Sequence, residues 1–498
     1  MIVNATLKRE FHAHVIHTAN EPLPKRSRDQ LNVAMVMFDT QSHSNIKRYM
    51  KKTYSTLVKD PNTIIFNGHS IVGGGTTAQL LGILTGKSEA ELPEARHGKF
   101  YAETVDRYPF IFSKLRAAGY TTVLSEDDAY SAAFNFRLKG FKDPPVDKYL
   151  RPFWLEASRK RSKIPGYCAH NFNFEYLMKF WKVYKATPKF ALVSNSRLSH
   201  SSVNHAILGD EDTNNFFNDF KKAGHLNDTL LIIFGDHGPR FPKFRASIVG
   251  KMEERLPFLS FTLPTWFKSV HPSLSENLFH NRHQLTSHYD LYPTLLNALD
   301  LKQPPQVFGV YTGFARSMFS RISENRTCSS AGIEKHWCPC MNYVSEDVNS
   351  TVVRDAAARV VLFINDMVCE RVDSCQLCSE LQLKRIVRAG KRRPNTEVEQ
   401  FVSPRKDNRC DSCGVTLNEE LSKNRKRFDY ELVFEVEPSK ALYETTVHIL
   451  LTSNMTSIKK MTINQRHINR INEYANQPDC IKDNFPHLRE FCHCHNDN

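Results

Sequence analysis

Nothing in this chain is long and apolar enough to span a bilayer. No window approaches the roughly 18 consecutive apolar residues a membrane helix needs, and the N-terminus lacks the apolar core of an export signal. Taken literally the chain is soluble and untargeted. It also lacks a Lys/Arg-rich helix interleaved with aromatics, and it has no zinc-finger or helix-turn-helix pattern, so nucleic acid is not an expected partner. No internal repeat is visible. Cysteine is nearly absent from the first two thirds: only Cys168 precedes residue 328, and the other eleven crowd the last third.

Such crowding in a loop-rich segment reads as a disulfide framework, which implies an extracellular or secretory-lumen setting. The missing export signal then suggests a chain that starts downstream of it. A zinc site from Cys375-x-x-Cys378 and Cys410-x-x-Cys413 is the competing reading, although their separation exceeds the usual zinc-ribbon spacing. The odd count leaves one cysteine free or paired elsewhere, with Cys168 as a candidate. Sequons at Asn4, Asn227, Asn325, Asn349 and Asn454 fit secretion but would also arise by chance.

At 498 residues the chain can bury one large core plus a smaller module. Its net charge of +14 favours anionic substrates or surfaces. Residues 1–30 end in the basic, proline-broken PLPKRSRDQ and read as an arm. Residues 31–320 alternate apolar strand-length runs with helical patterns. Strands are expected near 32–38, 63–66, 120–124, 189–193, 230–234 and 257–263, and helices near 44–57, 105–118, 212–223 and 288–298. This is the signature of an α/β domain with a doubly wound, mostly parallel sheet. Residues 321–498 form a smaller cysteine-rich α+β region, in which 430–436 and 445–451 read as strands. The basic LKRIVRAGKRRPN reads as an exposed face or loop.

Several expected strand ends carry chemistry. The apolar run LLIIFG delivers Asp236 and His237 together, and NVAMVMF delivers Asp39. In an open parallel sheet ligands bind beyond the carboxyl ends of the strands. Two hard oxygens and an imidazole there suit a divalent metal, zinc or manganese. The bland alternative is a hydrated turn, with Gly235 and Gly238 supplying unusual backbone angles. Gly73 to Gly75 run into Thr76 and Thr77 and then an apolar helix, where a hydroxyl would meet free N–H groups and the helix dipole. A plain capping role is the competing reading for either Thr. His200 lies in a loop beyond another strand end, a position more often filled by an ordinary surface histidine.

The order of Asp39, Thr76 and Asp236-His237-Gly238, followed by KMEERLPF and LTSHYDLYPTLLNAL, resembles the alkaline phosphatase and sulfatase superfamily. More closely it resembles an uncharacterised animal branch known only as a domain of unknown function, over roughly Asn32 to Leu301. The resemblance implies that Asp39, Asp236 and His237 hold a metal, with Thr76 as a metal-bound nucleophile attacking an anionic ester, on a lipid or glycan among other carriers. It further implies that His200 joins a second metal or protonates the leaving oxygen, and that Arg240 pairs with phosphate oxygens. His288 would be a further ligand or an ordinary helix residue.

The chain also departs from the pattern. Thr77-Ala78-Gln79-Leu80 lacks the Pro and Arg that formylglycine sulfatases need, so sulfate-ester cleavage by that route is not expected. The branch has Asp-Asn where Gly74-Gly75 stand and Pro-Asn where Ala78-Gln79 stand. Ser201 follows His200 where Asp is usual, and Ser196 occupies a second-metal position. One metal site is therefore expected and a second is in doubt. Two functions remain open: a metal-dependent phosphoester hydrolase or transferase, and a secreted binding protein that keeps the fold without turnover.

Overall fold

The computed structural model describes residues 12–16, 27, 29–160, 169–303, 313–340, 343–392 and 427–495. A seven-stranded sheet forms its centre. Across the sheet the order is Thr63–Ile65, Leu259–Thr262, Thr229–Gly235, Asn32–Phe38, Lys189–Asn195, Thr121–Glu126 and Lys148–Tyr149. The four strands from Thr229–Gly235 through Thr121–Glu126 run parallel with one another, and Lys148–Tyr149 joins them in the same direction. Leu259–Thr262 pairs antiparallel with both of its neighbours. The three central strands are buried along their whole length, because helices cover both faces. One face packs Met35, Leu192, Ile232 and the helix His288–Ala298. The other packs Val36, Val193, Ile233 and the aromatic helix Ala169–Val183.

Local chemistry moved several expected boundaries. The helix expected over 44–57 is two helices, His43–Tyr49 and Lys51–Lys59, which meet at Met50 (φ −106°, ψ 56°). Only Ile111–Ala117 of the expected 105–118 helix is α-helical. Pro109 has no N–H to donate, and it holds Tyr108 extended (φ −73°, ψ 142°). Part of the expected N-terminal arm leans on the core through Ala13 and Val15.

The last third builds a second, antiparallel sheet from Tyr343–Ser345, Gln382–Arg392, Arg427–Glu437, Leu442–Leu451 and Ile458–Thr462, with Ile468–Arg470 also pairing Leu442–Leu451. The amphipathic helix Thr351–Val368 packs on it. The basic stretch expected as an exposed face or loop is, as far as residue 392, one of these strands. Its cations lie opposite carboxylates on the next strand, as in Arg388–Glu431 (2.7 Å) and Arg385–Glu435 (2.6 Å). Among the described residues four disulfides staple this region: Cys328–Cys338, Cys369–Cys375, Cys378–Cys492 and Cys480–Cys494. Cys375 and Cys378 are thereby committed to bridges, which removes the zinc reading at that pair. Cys168, Cys410 and Cys413 lie outside the described residues, as do Asn4 and most of the first thirty residues.

Buried charge ties the two sheets together. Arg245 and Arg255, both fully buried, converge on the fully buried Glu444 (3.1 and 2.8 Å), and Arg245 also reaches Glu254 (Nε–Oε2 2.6 Å). Lys251 pairs with Glu431 nearby. The surrounding cations hold the Glu444 carboxyl well below the usual range, overcoming burial, which alone would raise it. No helix among the described residues is long and apolar enough to cross a membrane.

Candidate metal centre and its cavity

Strand register brings the two aspartates together. Phe38 is paired with Gly235 across adjacent parallel strands, so the next residues, Asp39 and Asp236, emerge side by side at the carboxyl edge of the sheet. Phe38 is also level with Asn195, from which the short helix Ser196–Ser199 leads to His200. Gly235 and Gly238 are needed here for close approach rather than for unusual angles. A Cβ on Gly235 would stand 2.0 Å from the Gln41 carbonyl oxygen, and one on Gly238 would stand 1.9 Å from that of Glu253. The neighbouring Thr40 takes a left-handed conformation (φ 58°), which a β-branched residue adopts only under constraint. Its N–H donates to Asp236 Oδ1 (3.0 Å), and its hydroxyl reaches the Ser199 carbonyl (2.8 Å).

The polar atoms left over define the centre. Asp39, Asp236 and His237 are each at most 3% exposed. Asp236 Oδ1 accepts the N–H groups of Thr40 and His237 (2.8 Å from the latter), while Asp236 Oδ2 and Asp39 Oδ1 are buried without a hydrogen-bond partner. His237 Nδ1 lies 2.8 Å from the Gly238 carbonyl, which can only accept, so the ring proton belongs on Nδ1. That leaves the Nε2 lone pair 3.3 Å from Asp236 Oδ2 and 3.9 Å from Asp39 Oδ1. Two buried oxygens without partners and a ring nitrogen whose lone pair faces them, all within 4.8 Å of one another, fit a divalent cation. Burial, and then the charge of Asp236, raise the Asp39 pKa well above its ordinary value. Among the described residues this is the one such cluster apart from disulfide-bonded cysteines.

His288 lies behind the centre. Its Nε2 stands 2.7 Å from the Asp236 backbone oxygen and its Nδ1 3.0 Å from His69 Nε2, so both ring nitrogens are already engaged. At the Ser196 position the hydroxyl pairs with Ser194 (2.9 Å), and its N–H donates to Asp127 (2.8 Å), a carboxylate also shared with the Arg197 N–H. Burial pushes Asp127 up to about 7 against those N–H groups.

In front of the centre lies a cavity of about 1290 Å³, whose lining includes Asp39, Thr76, His200, Ser201, His237 and Arg240. Neither Thr76 nor Thr77 caps its helix. Gly74 is the N-cap of Gly75–Thr85, and the Thr77 hydroxyl donates to the Ala133 carbonyl (2.9 Å). Thr76 is half-buried in the first turn. Gly75 sits at φ +70°, and a Cβ there would stand 3.1 Å from Arg240 Nη1, so the guanidinium rests against the start of the Thr76 helix. His200 is open to solvent at the wall, yet enough protein surrounds it that burial lowers its pKa, partly offset by Asp236 and Asp128.

The far wall comes from the last third of the chain and includes Trp337, Arg466, Tyr474, Arg489 and Phe491. Sequence patterning gave no sign of this contribution. The His288–His69 pair was equally hidden, because contacts over 219 residues leave no local trace.

No curated protein matches the chain. Among solved structures it is similar to a protein in the alkaline phosphatase superfamily from Vibrio parahaemolyticus (11% identity, TM-score 0.40, covering 93% of this chain and 89% of that one). It is also similar to the phosphonate monoester hydrolase from Silicibacter pomeroyi (13%, 0.42, 64% and 80%). A third likeness is to the C-terminal periplasmic domain of EcEptC from Escherichia coli in complex with Zn (12%, 0.35, 61% and 96%). The family itself is shown by sequence: with residues 5–387 matched, the chain belongs to the family described as Protein of unknown function (DUF229).

Proposed function

We propose that this protein hydrolyses or transfers a phosphate ester, with the Thr76 hydroxyl as the attacking group. The observation that carries the reading is the pair of partnerless buried oxygens, on Asp39 and Asp236, facing the His237 Nε2 lone pair at the floor of a cavity that Thr76, His200 and Arg240 also line. A divalent cation, zinc or manganese, held by Asp39, Asp236 and His237 beside the Thr76 oxygen would lower the hydroxyl pKa and offset charge on the transferred group. One such site is proposed.

The chain's own residues supply the rest. Thr76 Oγ attacks phosphorus, releasing its own proton to solvent, and as the ester P–O bond breaks the leaving alcohol takes a proton from His200 in its protonated form. The phosphothreonine is then cleaved by water or by an acceptor alcohol. Arg240, against Gly75, pairs with the phosphoryl oxygens, and the free N–H groups of the Gly75–Thr85 turn favour the same negative charge. Four disulfides, and the exposed sequons at Asn227, Asn325, Asn349 and Asn454, support an extracellular or lumenal glycoprotein.

A second reading is a secreted binding protein without turnover. It draws on Ser201 and on Gly74, where a Cβ would stand 3.1 Å from the Trp337 ring, so that wall is closed to a larger side chain. Metal analysis of the purified chain, with phosphomonoester and phosphodiester panels on wild type and Thr76→Ala, separates the two. Stoichiometric metal with Thr76-dependent turnover supports the enzyme, and metal without any turnover supports the binding protein.

A further inference from the structure

Five arginines line the cavity, and three of them are already neutralised. Arg96 is bound by Glu94 (Nε–Oε1 2.8 Å), Arg137 by Glu89 (3.0 Å), and Arg466 faces Glu334 (3.6 Å). Arg240 has Glu254 only at 3.8 Å and is the residue used above for the phosphoryl group. Arg489 differs from all of these. Among the described residues no carboxylate lies within ion-pair distance of it, and its Nε is buried without a hydrogen-bond partner.

Aromatic rings hold Arg489 in place. Its guanidinium carbon stands 5.0 Å from the centre of the Phe136 ring and 5.6 Å from that of Tyr474. Tyr474 meets Phe241 edge-on at 5.8 Å, and Arg240 lies over Phe241 at 5.1 Å. A continuous arginine–aromatic wall thus runs from the start of the Thr76 helix to the C-terminal region. Ring faces steady a guanidinium but satisfy none of its five N–H donors, which retain their capacity for a planar anion. Glu490, the next residue, does not fill that role. Burial raises its pKa, only partly offset by Arg240 and the Arg470 N–H, and it accepts that N–H at 3.4 Å.

We propose that Arg489 is a second anion subsite, and that the substrate of the Thr76 site is a phosphate ester carrying a further carboxylate or phosphate elsewhere in the molecule. This rests on the phosphoester reading given above. The cysteine-rich region then serves to present Arg489 and Tyr474 to the cavity.

Two measurements on the full metal-loaded chain test it. The first compares the 4-nitrophenyl phosphodiesters of butanol and of 4-hydroxybutyrate, which differ in a terminal carboxylate. Wild type is expected to favour the carboxylated ester by about tenfold or more in kcat/KM, mainly through KM. Arg489→Gln should bring that ratio close to one, and Arg489→Lys should leave it between the two, since it keeps the charge but loses the bidentate fork. A wild-type ratio near one, or a ratio that survives in Arg489→Gln, overturns the subsite.

The second measurement needs no turnover. Calorimetric titration of Thr76→Ala with 1,4-butanediol bisphosphate and with butyl phosphate should show tighter binding of the bisphosphate, and this gain should disappear in Thr76→Ala/Arg489→Gln. Should no ester be turned over while that gain is present, the catalytic reading fails and the subsite stands. Turnover without any Arg489-dependent gain gives the opposite result.

Discussion

The Nε2 of His288 stands 2.7 Å from the backbone oxygen of Asp236. A carbonyl only accepts, so the His288 proton sits on Nε2. Its Nδ1 must then accept from His69 Nε2 (3.0 Å), whose own Nδ1 faces the Thr286 hydroxyl (3.0 Å). Burial lowers the pKa of both rings, to about 4 for His288, which keeps this chain of neutral imidazoles intact near neutral pH. The chain anchors the main chain of Asp236, one of the three residues proposed to hold metal.

His288→Ala should therefore cost stability and metal affinity together. Leaving a buried carbonyl and a buried imidazole without partners costs about 3 kcal/mol, and loss of an outer support to a metal ligand weakens affinity by roughly 10- to 100-fold. Thermal unfolding and competitive zinc titration measure the two effects. A lower melting temperature with unchanged zinc affinity would refute the anchoring role.

Gly75→Ala tests the seat of Arg240. The left-handed conformation makes any Cβ unfavourable by about 1–2 kcal/mol, and the new methyl would press on Nη1 from 3.1 Å. Turnover is expected to fall by more than the modest loss of stability explains. Gly86→Ala, with φ +68° at the other end of the same helix and a Cβ that would meet the Tyr292 ring at 2.8 Å, is the control for strain and crowding away from Arg240. Equal losses of turnover in the two variants would count against a role for Arg240.

Stability should decline with acid below pH 6.5. His43 lies among Tyr54 and Phe258, and burial, followed by the charge of Lys47, lowers its pKa to about 4. The unfolded chain therefore takes up a proton at pH 6.5 that the folded chain refuses until about 4. Stability from this group is complete above 6.5 and falls by at most about 3 kcal/mol as pH drops to 4. Denaturant melts between pH 7 and 4 should be less pH-dependent in His43→Phe. An identical slope in wild type and variant would remove His43 from the explanation.

The bridge Cys378–Cys492 closes a span of 114 residues and secures the segment that carries Tyr474 and Arg489. In the chain-entropy description, opening so long a loop costs about 4–5 kcal/mol. Cys378→Ala/Cys492→Ala should lower the melting temperature and also raise KM, because one wall of the cavity loses its anchor. Unchanged KM in the folded double variant would show that the wall is held by other contacts.

The buried Glu444 offers a further check on how the two sheets are joined. Removing its charge leaves Arg245 and Arg255 buried without their shared carboxylate, for which losses of about 3–5 kcal/mol are usual. Glu444→Gln should unfold at lower denaturant by that amount. A loss below about 1 kcal/mol would mean that Glu254 suffices for Arg245.

Six of the seven strands of the main sheet were readable because each is a local run of apolar and β-branched residues, whereas the two-residue edge strand Lys148–Tyr149 carries no such pattern and was not expected. Asn32–Phe38 has the expected bounds, and Asp39, Asp236 and His237 occur where such runs end. Helix ends were less legible: Pro109 shortened one helix, Met50 divided another, and Gly74 rather than a threonine caps the Thr76 helix. The basic run at 382–392 does expose Lys384 and Arg385, as expected, but its pairing as a strand was not legible because the carboxylates it meets, Glu431 and Glu435, lie more than forty residues away.

Residue types and their period along the chain determined which segments are strands and which residues end them, since burial on a sheet face is a property of short stretches. Tertiary structure alone decided that Phe38 and Gly235 share a register and so bring two carboxylates beside one imidazole. It alone set His288 behind Asp236 and carried Arg489 across to the cavity that Thr76 lines. Those relationships depend on strand order and on side chains meeting over hundreds of residues, which no local pattern records.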